Sequence, residues 1–159
     1  MSRLPSLGPR GEGWLAGQMV LFSVIAAAGV AGRGTWDGPP RAVTSGLGIA
    51  ALLAGGLLAF RGVVDLRENL TPLPAPVEHG RLVDTGAYSI VRHPIYSGLI
   101  LAAFGWGLVL AAPAAFVAAL VLGVFFDLKS RREEAWLAEK YPGYAAYRSR
   151  TRKLVPGIY

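Results

Sequence analysis

Charged side chains are missing from three long stretches of the chain, and the limits of those stretches predict its elements. Trp14–Ala31 is eighteen residues without a charge, Ala42–Phe60 is a second such run closed by Arg61, and Ile95–Phe126 continues for thirty-two. A helix rises 1.5 Å per residue, so about 20 residues cross the roughly 30 Å hydrocarbon core of a bilayer. The first two runs each predict one transmembrane helix, and the third is too long for one. Ala111-Ala112-Pro113-Ala114-Ala115 is the natural place to divide it. The pattern therefore predicts spans over 14–31, 42–60, 95–111 and 113–126. The last two form a tight hairpin, short enough to require tilt or local thinning of the bilayer. A basic start before an apolar run also resembles a secretory signal. The length of the run and the poor cleavage site at Ala31-Gly32-Arg33 favour a helix that stays in the membrane.

The polar stretches complete the plan. Arg67 to His93 is too polar to span, and Pro72, Pro74 and Pro76 make its first part extended. After Phe126, the charged segment from Asp127 to Tyr141 reads as a helix that Pro142-Gly143 stops, with Trp136, Leu137 and Tyr141 against the bilayer surface. The expected fold is all-α: a polytopic membrane protein of about four transmembrane helices plus a cytoplasmic C-terminal amphipathic helix, in one domain over residues 1–159. The loop 67–93 and the tail 127–159 are expected to form the site. Four crossings put the N-terminus, that loop and the tail on one side. There they collect Arg3, Arg10, Arg61, Arg67, Arg81, Arg92 and eight basic residues of the tail, fourteen of the sixteen in the chain. Only Arg33 and Arg41 fall opposite. This asymmetry predicts that both termini are cytoplasmic, in the cell (inner) membrane.

Composition sharpens these expectations. Hydrophobic residues make up 53% and charged residues 16%, where soluble domains carry about a quarter. The 21 glycines and 11 prolines sit inside apolar runs, which suits helices that approach closely. With no cysteine, a disulfide framework, a thiolate nucleophile and a zinc–thiolate site are excluded, and two histidines, His79 and His93, do not make a metal site. The net charge of +6 flanks apolar segments, which points to anionic lipid headgroups and not to nucleic acid. Gly46-x-Gly48-x-x-Ala51 spells a dinucleotide fingerprint, but it opens a membrane helix and follows no strand. Asp65 stands out as an acid near an apolar run, and no ionisable residue sits mid-membrane in the other three helices, which argues against proton-coupled transport.

Candidate chemistry is confined to two clusters that the topology brings to one side. The first runs from Gly80 to Gly98, and its Arg92-His93-Pro94-Ile95-Tyr96 falls where the third helix enters the bilayer. Proline suits the first helical position, and the free N–H groups after it make an anion site beside Arg92 and His93. The second is Lys129-Ser130-Arg131-Arg132-Glu133-Glu134. Ser130 and Glu133 have the spacing of a capping box, so Glu133 is either a helix cap or a ligand.

The run Leu82-Val83-x-x-Gly86-x-Tyr88-x-x-x-Arg92-His93-Pro94-x-Tyr96-x-Gly98 closely resembles the isoprenylcysteine carboxyl methyltransferases. Glu133-Glu134, Leu137, Tyr141, Tyr144, Tyr147 and Pro156 continue the pattern, and phospholipid N-methyltransferases look like more distant relatives. The resemblance covers about Asn69 to Pro156, and the first two helices match only as hydrophobic segments. It implies an S-adenosylmethionine-dependent membrane methyltransferase acting on a lipophilic or lipid-linked acceptor. It further implies cofactor contacts from Gly80, Arg81, Leu82, Val83, Tyr88, His93, Pro94, Ile95, Tyr96 and Glu133, and catalytic roles for His93, Arg92 and Glu134. Where the animal enzymes place an arginine against the substrate carboxylate, this chain has Lys129, which keeps the charge without the bidentate fork. In chemical terms, the anion site suits the cofactor's carboxylate and Glu133 its ammonium or ribose. Tyr88 and Tyr96 would face the sulfonium through their rings. An amine acceptor would need a base, His93 or Glu134. The competing readings are an NADPH-dependent membrane reductase of the sterol reductase type, whose C-terminal part looks similar, and a non-enzymatic membrane subunit.

Overall fold

Apolar runs without helix breakers become helices in the computed structural model, which describes residues 4–36 and 39–159. Arg3, counted above among the basic residues of one side, lies outside the described residues. The helices are α1 (Glu12–Ala31), α2 (Arg41–Leu66), α3 (Pro94–Leu110), α4 (Pro113–Lys140) and α5 (Tyr144–Arg150), with 3₁₀ turns at Arg67–Asn69 and Gly86–Ser89. Among the described residues β pairing is limited to one isolated parallel bridge, Val91 with Arg152. The all-α expectation holds. Three helices, α1, α2 and α4, are long and apolar enough to cross a membrane, while α3 has 17 residues, about 26 Å of rise. The chain is a membrane protein with three candidate spans among the described residues and a shorter apolar helix, α3, between the second and third of them.

The charged segment after Phe126 does not form a helix of its own. α4 continues from Pro113 to Lys140 as one helix of 28 residues. Nothing between Phe126 and Tyr141 breaks it, since Leu, Lys, Arg, Glu and Ala are all good helix formers, and Pro142 ends it. At 1.5 Å per residue the helix is about 42 Å long, so its charged half projects beyond a bilayer core of about 30 Å. Leu137 and Tyr141 turn inward to line a cavity instead of lying on the bilayer surface. Trp136 stacks under the Arg132 guanidinium, 4.2 Å from its ring centre.

Small residues set the closest helix pair. Gly48 and Gly55 of α2 meet Gly105 and Gly98 of α3 almost backbone to backbone. A Cβ on Gly55 would lie 2.5 Å from the Gly98 carbonyl oxygen, and one on Gly105 would lie 2.7 Å from that of Gly48. Helix packing is thus the role of Gly48, and the fingerprint spelling is coincidental. Against this pair, α1 and α4 close a core of Ile25, Ala103, Ala118, Ala119, Leu122 and Phe126.

The bundle has two distinct ends. At one, Gly34 N–H donates to the Leu110 carbonyl at 2.9 Å and Trp36 packs edge-on to Phe116. The α1–α2 link and the α3–α4 turn therefore lie together. At the other, Ala75 N–H donates to the Arg10 carbonyl at 3.3 Å, and Gly11, at φ 88°, sits against Pro74. The N-terminal segment, the loop 67–93 and the tail meet there, and they build the site.

Candidate functional site at one end of the bundle

Each wall of the site comes from a different element. Beyond α2 the chain passes through Arg67, a non-glycine residue at φ 49°, and then bends at 72–75 instead of running extended, with Pro72, Pro74 and Pro76 lining the bundle end. Two side chains steer the segment back. Asn69 Oδ1 accepts the Arg81 N–H at 3.0 Å, and Asp65 Oδ2 accepts the Ala87 N–H at 2.7 Å. Tyr88 is then buried, and its carbonyl accepts the Tyr147 hydroxyl at 2.8 Å. The tail fixes the start of α3. Arg92 N–H donates to the Arg152 carbonyl at 2.8 Å and His93 N–H to that of Lys153 at 3.2 Å. These bonds take up the two amides before Pro94, and the expected anion site is left to the first-turn amides of Ile95 and Tyr96.

The result is a cavity of about 320 Å³, at the low end of the roughly 300–1,000 Å³ range for small-molecule sites. Of the residues singled out in the sequence, Arg81, Leu82, Val83, Tyr88, Arg92, His93, Ile95, Tyr96, Lys129 and Glu133 line it. Gly80, Pro94 and Glu134 stand behind the wall. Gly80 lies where a Cβ would fall 2.6 Å from Asn69 Oδ1, and Pro94 packs against Gly62.

At its centre, His93 lies between two carboxylates. Glu134 Oε1 is 3.1 Å from His93 Nε2 and accepts the Arg92 Nε–H at 2.8 Å. Glu134 stands on the charged extension of α4, outside the apolar segment. Burial alone would raise its pKa, but the hydrogen bonds and charges of His93 and Arg92 lower it to about 2. Glu133 Oε2 accepts the Tyr96 hydroxyl at 2.9 Å and lies 3.7 Å from His93 Nδ1. The Glu133 side chain is 25% exposed against 7% for Glu134, so Glu133 faces the cavity and Glu134 the protein.

Several expectations change at atomic detail. The capping box is absent: Ser130 is inside α4, its hydroxyl donates to the Asp127 carbonyl at 2.9 Å, and no helix starts there. The Arg92 guanidinium is taken up by Glu134 and by the carbonyls of Thr151 and Arg148, so it holds the tail in place. Tyr96 does not offer a free ring, because it stacks on Phe126 at 4.4 Å and on His93 at 5.4 Å. Lys129 reaches the cavity wall, but its ammonium donates to Gln18 Oε1 at 2.6 Å and to the Pro72 carbonyl at 3.0 Å.

Sequence reasoning missed Gln18, and it named Tyr141, Tyr144, Tyr147 and the three prolines without giving them a place in the cavity wall. A signal for Gln18 was available. It is the one amide side chain in an uncharged run, and a lone polar group in a membrane helix calls for a partner.

Apolar helices ending in a cavity lined by aromatic and ionic side chains define a membrane protein with a polar cavity beyond its apolar core. A family model described as phospholipid methyltransferase matches residues 43–143, and the chain belongs to that family. It is 29% identical over 143 residues to the cobalt-zinc-cadmium resistance protein CzcN of Cupriavidus metallidurans, covering 87% of this chain and 62% of that protein. It is 30% identical over 118 residues to protein-S-isoprenylcysteine O-methyltransferase B of Arabidopsis thaliana, covering 72% of this chain and 60% of that one. The chain thus spans about three fifths of the length of these relatives. Gln18, Tyr144 and Tyr147 lie outside the family-matched residues yet line the same cavity.

Proposed function

We propose that this membrane protein transfers a methyl group from S-adenosylmethionine to a lipophilic acceptor, in the manner of the isoprenylcysteine carboxyl methyltransferases. The observation that carries the reading is Glu133. Among the described residues it is the one carboxylate lining the cavity, and it stands beside His93 and Tyr96. The donor set fits the cofactor. Glu133 would meet its ammonium or ribose, Arg81 with the amides of Ile95 and Tyr96 its carboxylate, and Tyr88 with Leu82, Val83 and Leu137 its apolar surface. S-adenosylmethionine supplies an activated methyl group on a sulfonium. The protein's own part is placement, because an in-line displacement gains most from reacting atoms held about 3–3.5 Å apart.

His93 is the group suited to take a proton from an acceptor that carries one. Glu134, ionised and turned away from the cavity, orients the ring through Nε2, and Arg92 holds Glu134 in turn; both are positioning residues. Val63, Leu66, Leu70 and Leu99 line the part of the cavity nearest the apolar helices, and they suit the acceptor's hydrocarbon. The Lys129 ammonium, which lines the same cavity beside Gln18 and Pro72, favours an acceptor with an oxygen anion. A phospholipid amine is the second reading, supported by the family match, and it would meet a like charge there.

The test is a titration of the purified protein with S-adenosylhomocysteine and, separately, NADPH. This is followed by methyl-labelled cofactor with farnesylated cysteine or with phosphatidylethanolamine vesicles. We expect the first ligand alone to bind and label to appear on the prenylated acid. Binding of neither ligand would sink the reading, and label on the amine would select the second. His93→Ala should abolish most turnover and Arg41→Ala, at the opposite end of the bundle, should not change it.

A further inference from the structure

With Leu137 and Tyr141 turned inward, contact between the tail and the bilayer surface passes to another segment. After the bridge at Arg152 the chain closes a tight turn. The Leu154 and Val155 amides donate to the Tyr159 carbonyl oxygen at 2.7 and 2.6 Å, and those of Ile158 and Tyr159 donate back to Val155 at 3.1 and 3.0 Å. Two contacts fix its depth. The Leu154 carbonyl accepts the Ser97 hydroxyl at 2.6 Å, in the first turn of α3. The Tyr159 hydroxyl donates to Asp127 Oδ1 at 2.8 Å, and Asp127 is the first charge after the apolar run of α4. Asp127 also binds Lys153 at 2.6 Å and Arg131 at 2.8 Å. Both anchor points therefore lie where the helix surfaces change from polar to apolar. At that level Val155, Ile158 and Tyr159 are 44%, 79% and 48% exposed.

We propose that the turn Leu154–Tyr159 is an interfacial anchor whose partner is the anionic phospholipid surface of the membrane that the helices cross. Val155 and Ile158 enter the boundary between headgroups and acyl chains, and the Tyr159 ring sits at headgroup level, where amphipathic aromatic rings concentrate. Arg131, more than half exposed beside Asp127, meets the lipid phosphates. The anchor continues directly into the site, because Lys153 supplies the carbonyl that fixes the His93 amide. The bilayer thereby steadies the segment that sets the start of α3. None of this depends on the reaction proposed above.

The chain has no cysteine, so single labels can be placed without background. Ile158→Cys and, independently, Val155→Cys are labelled with an environment-sensitive fluorophore in phosphatidylglycerol vesicles. Both positions are exposed, so neither change disturbs the fold. Nitroxide carried near the lipid headgroup should quench these labels several-fold more than aqueous iodide does. A label at Ala146→Cys, on the exposed side of α5, should show the reverse. Arg131→Gln should reduce the lipid quenching in phosphatidylglycerol towards the level in phosphatidylcholine. Iodide quenching at 158 and 155 as strong as at 146 would overturn the proposal. Protection from both quenchers would overturn it too, because it would show a second copy of the chain covering the turn.

Discussion

Glu133 and Glu134 follow each other on α4, and the step of about 100° around a helix sends them into different surroundings. Glu133 reaches the cavity with the Tyr96 hydroxyl; Glu134 reaches Arg92 and His93 in the wall. Glu133→Gln should therefore weaken S-adenosylhomocysteine binding by about 1.5–3 kcal/mol, roughly ten- to hundred-fold, the worth of a hydrogen bond to a charged group. Thermal stability without ligand should barely change, and an unaltered affinity would remove Glu133 from the cofactor set. Glu134→Gln should cost about 3 kcal/mol of stability, because it leaves Arg92 buried without its counter-charge. The pH dependence has a definite sign. The Glu134 pKa falls from an ordinary 4.5 to about 2 on folding, so its contribution is complete above 4.5 and lost as pH falls towards 2. The difference in melting temperature between wild type and Glu134→Gln should be constant from pH 7 to 5 and shrink below that. A gap undiminished at pH 3 would contradict the assignment. Both glutamates were legible in the sequence as one charged cluster. The family resemblance already gave them different roles, but the neighbours each one meets depend on which side of α4 faces α3.

At the scale of elements, the pairing of α2 with α3 rests on glycines whose roles differ between neighbours. Gly55 lies against the Gly98 carbonyl and the Ala102 amide, and neither backbone group can yield; at Gly56, one residue on, a Cβ would meet nothing within 4 Å. Gly55→Ala should destabilise the protein by about 1–3 kcal/mol through overpacking. Gly56→Ala should stabilise it by up to about 1 kcal/mol through helix propensity. Opposite shifts in melting temperature for these two changes would establish the contact, and equal shifts would refute it. Hydrophobic patterning found the helices, and the apolar spans it marks, 42–60 and 113–126, end before α2 and α4 do. Patterning records where the membrane stops, whereas a helix continues until its backbone is interrupted. Asp127 marks the first limit and Pro142 the second.

On the scale of the whole molecule, the bundle's two ends carry the basic residues unequally: among the described residues, Arg33 and Arg41 alone stand at the end away from the site. Both termini should therefore face the cytoplasm, and a reporter fused after Tyr159 should be active only if it folds there. Activity of that fusion restricted to the outer side would reverse the assignment. The fold class, the apolar spans, the sidedness of the charges and the family resemblance around Arg92–Tyr96 were determined by the sequence, because they follow from local composition and short motifs. Tertiary structure alone brought Gln18 of α1 to Lys129, and it closed the aromatic floor with Tyr144 and Tyr147. It also diverted the Arg92 guanidinium from ligand to tail. The physical reason is range. A charge-free run or a proline at a helix start acts within a few residues, whereas Gln18 and Lys129 are 111 positions apart. Only packing of the helices decides which buried donor finds which acceptor.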